Sequence, residues 1–285
     1  MKQTGDGSGT DSLLKGDWNA EWIRLGPLRD EMNGAAYWDK RADGLAAAVD
    51  TSPYASTFIE YAGVRPGESV LDVGAGWGTL ALPLARAGHP ICALDFSPRM
   101  VALLRQRATE EGLQSLAARQ LSWEDDWEAA GISPADVAVA SRSLAVADLA
   151  AALRKLDAFA RRRACLTLSA NGLYFPDLLA QEAVGREVEP RYEHVYAVNI
   201  LHQMGIAAEV RFIPHDRRRT FQSREQARES LRKMIAPADE REERLFDEYV
   251  DTRVVQRNGA DGAPLWTHDT SFTVKWAFLA WDKEP

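Results

Sequence analysis

Cysteine, histidine and long apolar runs are all scarce in this sequence of 285 residues, and each scarcity excludes a class of protein. The two cysteines, Cys92 and Cys165, lie in apolar segments typical of strands, which predicts buried thiols and excludes a disulfide framework. The five histidines show none of the spacings that zinc sites use, so we expect no metal. No apolar run has the length of a membrane-spanning helix, so we expect no membrane partner.

Positive charge is also in deficit. Lysine and arginine number 34 against 42 acidic residues, which gives a net charge of −8. Proteins that bind nucleic acid usually carry a basic surplus, so we expect no nucleic-acid partner. Residues 1–12 are polar and glycine-rich, are predicted to be disordered and contain no signal-peptide pattern. Together with the few cysteines, this predicts a cytoplasmic protein.

Strand and helix patterns alternate along the middle of the chain. Apolar strand patterns occur in SVLDVG, PICALDF, LAARQLS, ADVAVAS and ACLTLSA, and helical patterns separate them, including a short one in EDDWEAAG. Alternation over more than a hundred residues is typical of parallel βαβ crossovers with helices on both faces of one sheet. We therefore predict an α/β fold with a doubly wound, mostly parallel sheet of seven strands, the last two of them late in the chain.

Both ends of the chain depart from this alternation. Residues 13–66 are predicted to form an N-terminal helical cap, and residues 67–285 the sheet domain. After residue 170 the pattern predicts helices around 175–185 and 194–204, a strand in AAEVRFIPH, helices over 223–235 and 237–256, and a last strand in SFTVKWAFLAW. The segment between these two strands, about 216–270, is predicted to be a helical lid.

The stretch VLDVGAGWG places three glycines between a strand and a helix. Glycine lets the backbone approach a ligand without a Cβ, and the helix N-terminus offers unpaired N–H groups. Gly74, Gly76 and Gly78 are spaced G-x-G-x-G, whereas a dinucleotide site needs its third glycine at Thr79. Asp72 would repel a pyrophosphate and favour an ammonium or sulfonium group. The loop therefore predicts a cationic cofactor without phosphates.

These residues resemble the first motifs of the class I S-adenosylmethionine-dependent methyltransferases. The resemblance covers about residues 37–170 and implies a Rossmann-like fold with an antiparallel last strand. It also implies S-adenosyl-L-methionine as cofactor and S-adenosyl-L-homocysteine as product, with Ala75 among the loop residues that hold them. Asp95 and Phe96 in ALDFSP resemble the family's ribose-binding acid and the apolar residue that packs on the adenine.

The resemblance extends to the segment SWEDDW after the third strand. There Trp123 would line the adenine, and either Glu124 or Asp125 would accept a hydrogen bond from its amino group. Trp127 is predicted to be a core residue instead. Both alternatives for the acceptor are left open by the sequence.

Two further cofactor contacts are implied by the resemblance. Ser141, in DVAVASRS at the end of the fourth strand, would line the methionine end, although it could simply terminate the strand. The segment YWDKRAD resembles the family's helix that closes over the cofactor, which would place Tyr37 and Arg41 near its carboxylate. These two side chains could equally just pack their helix.

We expect the methyl acceptor to be a small molecule. The fourth strand is followed by SRSL, where methyltransferases of this fold that act on exocyclic amines and glutamine carry an Asn/Asp-Pro-Pro-aromatic stretch. Neither cysteine lies where cytosine C5 chemistry would need one. The acceptor pocket is expected at the C-terminal ends of the strands, near Tyr174, Tyr196 and Asn199, with His194 or His202 as a candidate catalytic base.

Other functions remain open at this stage. A protein of this fold could transfer a group other than methyl, or could bind the cofactor without catalysis. An NAD(P)-dependent dehydrogenase would use a similar loop, although Thr79 and Asp72 count against it. The acceptor atom and the oligomeric state are not predicted.

Overall fold

The structure, a computed structural model, describes residues 16–26, 34–47, 53–171, 181, 183–187, 192–217, 220–259, 262, 264–269 and 272–283. Residues 1–12, Tyr174 and most of the helix predicted at 175–185 lie outside the described residues, as does the side chain of Arg41. The predictions made for them are therefore not examined further.

Helices and strands alternate as the sequence predicts. The helices are α1 (Trp18–Leu25), α2 (Ala35–Ala47), α3 (Tyr54–Ala62), α4 (Ala81–Arg86), α5 (Pro98–Glu110), α6 (Leu149–Ala158), α7 (Glu193–Gln203), α8 (Arg224–Ile235) and α9 (Glu240–Arg253). The strands are β1 (Val70–Val73), β2 (Ile91–Asp95), β3 (Leu116–Gln120), β4 (Ala135–Ser141), β5 (Ala160–Ser169), β6 (Glu209–Arg217), β7 (Thr220–Phe221), β8 (Val254–Asn258), β9 (Pro264–His268) and β10 (Phe272–Asp282).

Seven strands form one sheet in the order β3-β2-β1-β4-β5-β10-β6. The pairs β1/β2, β1/β4, β2/β3 and β4/β5 are parallel, and the late strands add an antiparallel edge. This confirms the predicted fold class. The strand order reverses direction between β1 and β4, and such a point creates a crevice at the C-terminal ends of the strands. The glycine loop follows β1 and therefore lies at this crevice.

The edge strand β6 has an unusual surface. Val210 and Phe212, which alternate with Arg211, are 39% and 50% exposed. Pro214 lies within the same strand and has no backbone N–H to donate.

Local sequence explains where the central elements begin. All four residues of β1 are buried, as expected for a strand with helices on both faces of its sheet. Helix α5 begins at Pro98, and the Ser97 hydroxyl accepts a hydrogen bond from Met100 N at 3.1 Å. A serine at the N-cap and a proline in the first turn both favour the start of a helix at this point.

Three predictions of secondary structure are wrong. EDDWEAAG forms turns and not a helix, because Asp126 caps a turn at Ala129 N and the ring of Trp127 enters the core. The helix predicted over 237–256 ends at Arg253, since Val254 and the residues after it pair with β9. The insert between β6 and β10 is not purely helical, because β7, β9 and β8 form a second, antiparallel sheet.

The chain divides into two compact units. The first comprises residues 1–168, 194–211 and 277–285, and the second comprises 169–193 and 212–276. In the second unit, helices α8 and α9 and the three-stranded sheet share a hydrophobic cluster. Its members include Val184, Phe221, Leu231, Phe246, Val250 and Val254. The boundaries expected from the sequence at 13–66, 67–285 and 216–270 remain predictions.

We expect Phe246→Ala to destabilise the second unit by about 3–5 kcal/mol, because the ring is fully buried in this cluster and its loss leaves a cavity. The measurement is hydrogen exchange of the amides of α8 and α9. Arg244→Ala, at an exposed position of the same helix, is the control and should change stability by about 0.5 kcal/mol or less. Unchanged exchange in Phe246→Ala would contradict the assignment of this cluster as the core of the unit.

Candidate functional site

The loop between β1 and α4 has a left-handed backbone at each of its three glycines, with φ of +71° at Gly74, +56° at Gly76 and +102° at Gly78. A Cβ on Gly74 would lie 2.2 Å from the Cβ of Ser143, and one on Gly78 would lie 2.6 Å from Cδ1 of Leu104. A Cβ on Gly76 would meet no atom within 4 Å. Packing therefore requires the first and third glycines, whereas the second faces open space.

Hydrogen bonds fasten this loop to the end of β2. The amides of Gly74 and Ala75 donate to the carbonyl oxygen of Leu94 at 2.7 and 2.9 Å. The amide of Gly76 donates to Oδ2 of Asp95 at 2.8 Å. The carboxylate at the end of β2 therefore shapes the loop that follows β1.

Asp95 is almost fully buried, and its second oxygen is also engaged. Oδ1 accepts a hydrogen bond from Ser97 N at 2.9 Å, and the Ser97 hydroxyl donates to Oδ1 of Asp39 on α2 at 2.5 Å. Burial raises the pKa of Asp95, the nearby charge of Asp39 adds to this, and the two backbone N–H bonds oppose it. Each carboxylate oxygen keeps a second acceptor position, which suits a ligand with two adjacent hydroxyl groups.

Asp72 lies beneath the glycine loop and is 1% exposed. Oδ2 of Asp72 has no hydrogen-bond partner among the described residues, and the nearby backbone N–H of Ala81 acts to lower the pKa of the carboxyl group. Burial, and then the charge of Asp95, raise the pKa of Asp72 to about 7. Two buried acids this close favour a positive charge nearby. The open space at Gly76 and the unpaired oxygen of Asp72 thus fit a cationic nucleoside.

Trp123 and Trp127 have different roles in the segment after β3. The Trp123 ring is half-buried, and its Nε1 donates to Ser143 O at 3.0 Å. Trp127 is 1% exposed and packs 5.4 Å from Trp123 between ring centroids, which confirms it as a core residue. Lys155 on α6 donates to Trp123 O at 2.7 Å and lies 4.5 Å over the Trp127 ring. Trp123 therefore has a fixed position beside the turn after β4.

The other residues predicted to contact the adenine lie on nearby turns. Phe96 is half-buried, and Glu124 and Asp125 are exposed. The Asp125 carboxylate closes its own turn by accepting a hydrogen bond from Ser122 N at 2.7 Å. Within the described residues, the Glu124 carboxylate has no hydrogen-bond partner, which favours Glu124 over Asp125 as a ligand contact.

A chain of hydroxyl groups that the sequence did not reveal lies at the end of β4. The Tyr54 hydroxyl is hydrogen-bonded to the Ser141 hydroxyl at 2.8 Å and to the Thr167 hydroxyl at 2.7 Å. The Arg142 amide donates to Thr167 Oγ1 at 3.1 Å, and its guanidinium carbon lies 4.2 Å from the Tyr54 ring centroid. Arg142 has a φ of +57°, which is rare for a residue other than glycine.

Helix α2 contacts the start of α5 through Asp39, which accepts a hydrogen bond from the Ser97 hydroxyl. The sequence did not predict this contact. Tyr37 is half-buried and packs edge to face against Trp38, with ring centroids 5.3 Å apart. The proximity of Tyr37 and Arg41 to a cofactor carboxylate remains a prediction.

The residues predicted to bind the acceptor lie on α7, where local contacts engage them. The Tyr196 ring packs edge to face against Trp18 and against Trp22, with centroids 5.9 Å apart in each pair. The Asn199 amide donates to Val195 O at 2.7 Å within its own helix. The substrate roles of Tyr196 and Asn199 therefore remain predictions.

The histidine candidates differ in exposure. His194 is half-buried at the start of α7, and His202 is exposed near its end. No group of three or more His, Cys, Asp or Glu side chains in the described ranges could hold a metal ion. Across the same ranges, no helix has the length and apolar character needed to cross a bilayer.

We expect Gly74→Ala to destabilise the protein far more than Gly76→Ala, since only the first substitution forces a Cβ into Ser143. At Gly76 the cost should be that of the left-handed backbone alone, about 1–2 kcal/mol. The measurement is urea denaturation, with Gly63→Ala as the matched control because Gly63 has a φ of +58° and open space around it. Equal losses at positions 74 and 76 would contradict the packing argument.

Asp72→Asn is expected to become progressively more stable than the unsubstituted protein as pH rises from about 4 to 8. The folded state raises the pKa of Asp72 to about 7 from 3.8, so it binds more protons than the unfolded state in this range and loses stability as pH rises. The gain approaches about 1.4 kcal/mol for each pKa unit of the shift. Denaturation at several pH values measures it, with Glu128→Gln, which removes an exposed carboxylate, as the control. A difference that does not vary with pH would contradict the prediction.

Comparison with known proteins supports the interpretation of this site. A family model described as a methyltransferase domain matches residues 70–162. The chain is 34% identical over 249 residues to an uncharacterized protein of Haemophilus influenzae, covering 86% of this chain and 88% of that protein. It is 32% identical over 96 residues to a ubiquinone biosynthesis O-methyltransferase of Acinetobacter baumannii, covering 33% of this chain and 40% of that enzyme.

The fold also has solved counterparts. A candidate methyltransferase from Bacillus halodurans aligns over 81% of this chain and 99% of its own, with a TM-score of 0.52 and 16% sequence identity. The family model spans the glycine loop and both buried acids, and S-adenosyl-L-methionine is the cofactor of this protein. The chain belongs to the class I S-adenosylmethionine-dependent methyltransferases.

Proposed function

We propose that the protein transfers the methyl group of S-adenosyl-L-methionine to a small-molecule acceptor. The observation that carries the proposal is the open space at Gly76 beside the buried carboxylate of Asp95. A nucleoside can approach the backbone there, and its ribose hydroxyls can donate to the free acceptor positions of Asp95. Phosphate groups would meet two buried acids and would be repelled.

The remaining cofactor contacts follow from the positions of neighbouring side chains. Phe96 and Trp123 would cover the adenine, Glu124 would accept from its amino group, and Ser141 would meet the amino-acid end. The bound cofactor supplies an activated methyl group on a sulfonium. The protein therefore has to align the acceptor with that methyl group and exclude water.

Several features support a small acceptor. The net charge of −8 disfavours a nucleic-acid substrate. The partial relative from Acinetobacter baumannii is named for methylation of an oxygen in ubiquinone biosynthesis, which makes phenols a first class to test. A base is needed only if the acceptor arrives protonated, and the half-buried His194 suits that role better than the exposed His202.

Membership of the family sets aside the dehydrogenase alternative. Transfer of another group, or binding of the cofactor without catalysis, would leave the same nucleoside contacts in place. These alternatives are therefore separated from the proposal by turnover and not by affinity.

Calorimetric titration with S-adenosylhomocysteine tests the cofactor contacts. Asp95→Ala should weaken binding by about tenfold or more, because the ribose loses its charged acceptor. Gly76→Ala should also weaken binding, since its Cβ would enter the open space, whereas Gly63→Ala should not. Unchanged affinity in Asp95→Ala would remove this residue from the site.

Release of S-adenosylhomocysteine in the presence of phenols, amines, thiols and carboxylic acids tests the acceptor class. Turnover with at least one of these small molecules, lost in Asp95→Ala at low cofactor concentration, is the expected result. No release over the whole panel, despite tight cofactor binding, would contradict the proposal and favour a cofactor binder without catalysis.

A further inference from the structure

We propose that Tyr54 and Thr167 are positioning residues that fix the Ser141 hydroxyl as a hydrogen-bond donor to the carboxylate at the amino-acid end of the cofactor. The three hydroxyl groups come from α3, β5 and β4, and they form one continuous chain. The inference concerns binding of the cofactor and does not depend on the class of acceptor.

The donor and acceptor roles of the three hydroxyl groups are set first at Thr167, which is fully buried. Among the residues that the structure describes, its hydroxyl is hydrogen-bonded to the Arg142 amide at 3.1 Å and to the Tyr54 hydroxyl at 2.7 Å. The amide can only donate, so Thr167 Oγ1 accepts from it. The hydrogen of the Thr167 hydroxyl must then point to Tyr54, because burial leaves it no water to bond.

Because Tyr54 accepts a hydrogen bond from Thr167, it is the donor in its hydrogen bond with Ser141. Its hydroxyl, also fully buried, accepts from Thr167 and donates its own hydrogen to Ser141 Oγ at 2.8 Å. The guanidinium of Arg142 over the phenol ring withdraws electron density and makes the phenol a stronger donor. Ser141 therefore accepts from Tyr54, and its hydrogen is directed away from the chain.

The backbone of Arg142 is strained in this arrangement. Arg142 has a φ of +57°, and a left-handed backbone costs a residue with a Cβ about 1–2 kcal/mol. The same conformation aims the Arg142 amide at Thr167. A strained backbone persists where surrounding contacts compensate for its cost in free energy, and such strain is common at ligand sites.

The turn after β4, which follows Ser141 directly, contacts the glycine loop. Ser143 contacts the glycine loop at Gly74, and its hydroxyl donates to Val73 O at 2.6 Å. The turn thus borders the loop that holds the cofactor. A carboxylate accepts strongly from hydroxyl donors, and the amino-acid end of the cofactor carries one.

Calorimetry with two ligands tests the proposal. S-adenosylhomocysteine carries the amino-acid end, and 5′-methylthioadenosine has the same nucleoside and sulfur without it. We expect affinity for S-adenosylhomocysteine to fall about tenfold in Ser141→Ala, about fivefold in Tyr54→Phe and about threefold in Thr167→Val. Thr167→Ser should restore it to within about twofold, and affinity for 5′-methylthioadenosine should stay within about twofold in every variant.

Tyr61→Phe is the matched control, because Tyr61 lies on the same helix and its ring packs against Phe278, outside the hydroxyl chain. Equal losses for both ligands would indicate a structural role and overturn the proposal, as would unchanged affinity for S-adenosylhomocysteine. If Tyr54→Phe does not fold, the Thr167→Val and Thr167→Ser pair decides the outcome. Failure of the small-molecule acceptor panel would leave these binding results unaffected.

Discussion

The carboxylate of Asp95 is the constraint on which the site depends. It accepts a hydrogen bond from Gly76 in the loop after β1 and another from Ser97 at the start of α5. Through the Ser97 hydroxyl it is also connected to Asp39 on α2. One buried carboxyl group and its neighbour Ser97 therefore connect the glycine loop, the N-terminus of α5 and helix α2. The same carboxylate retains the acceptor positions that a ribose would use.

This arrangement concentrates energetically unfavourable features at the candidate site. Asp72 and Asp95 are both buried, and burial raises the pKa of each carboxyl group. Arg142 adds a strained backbone at the end of β4. Each of these features costs stability, and the two acids would also attract a positively charged ligand. Such departures from ordinary folding rules are expected at functional sites.

The sequence predicted the parts of the site that lie close together in the chain. The spacing of the glycines, the acid before them and the acid at the end of β2 all stand within 24 residues, and each has a direct physical reason. Tyr54 and Thr167 could not be found this way, because they are 113 positions apart and meet only when α3 covers the sheet. The strand at Val254 was missed because its partner β9 follows only after a turn. Long-range pairing, and not local propensity, decided these cases.

The outer edge of the large sheet has a consequence for solubility. An edge strand presents unpaired backbone groups on which another chain can extend the sheet, and apolar side chains such as Val210 and Phe212 would strengthen that attachment. Pro214 in β6 has no amide hydrogen to donate, and proline within sheets is largely confined to edge strands, as it is here. Proline in an edge strand is one of the features that limit the attachment of further chains to a sheet.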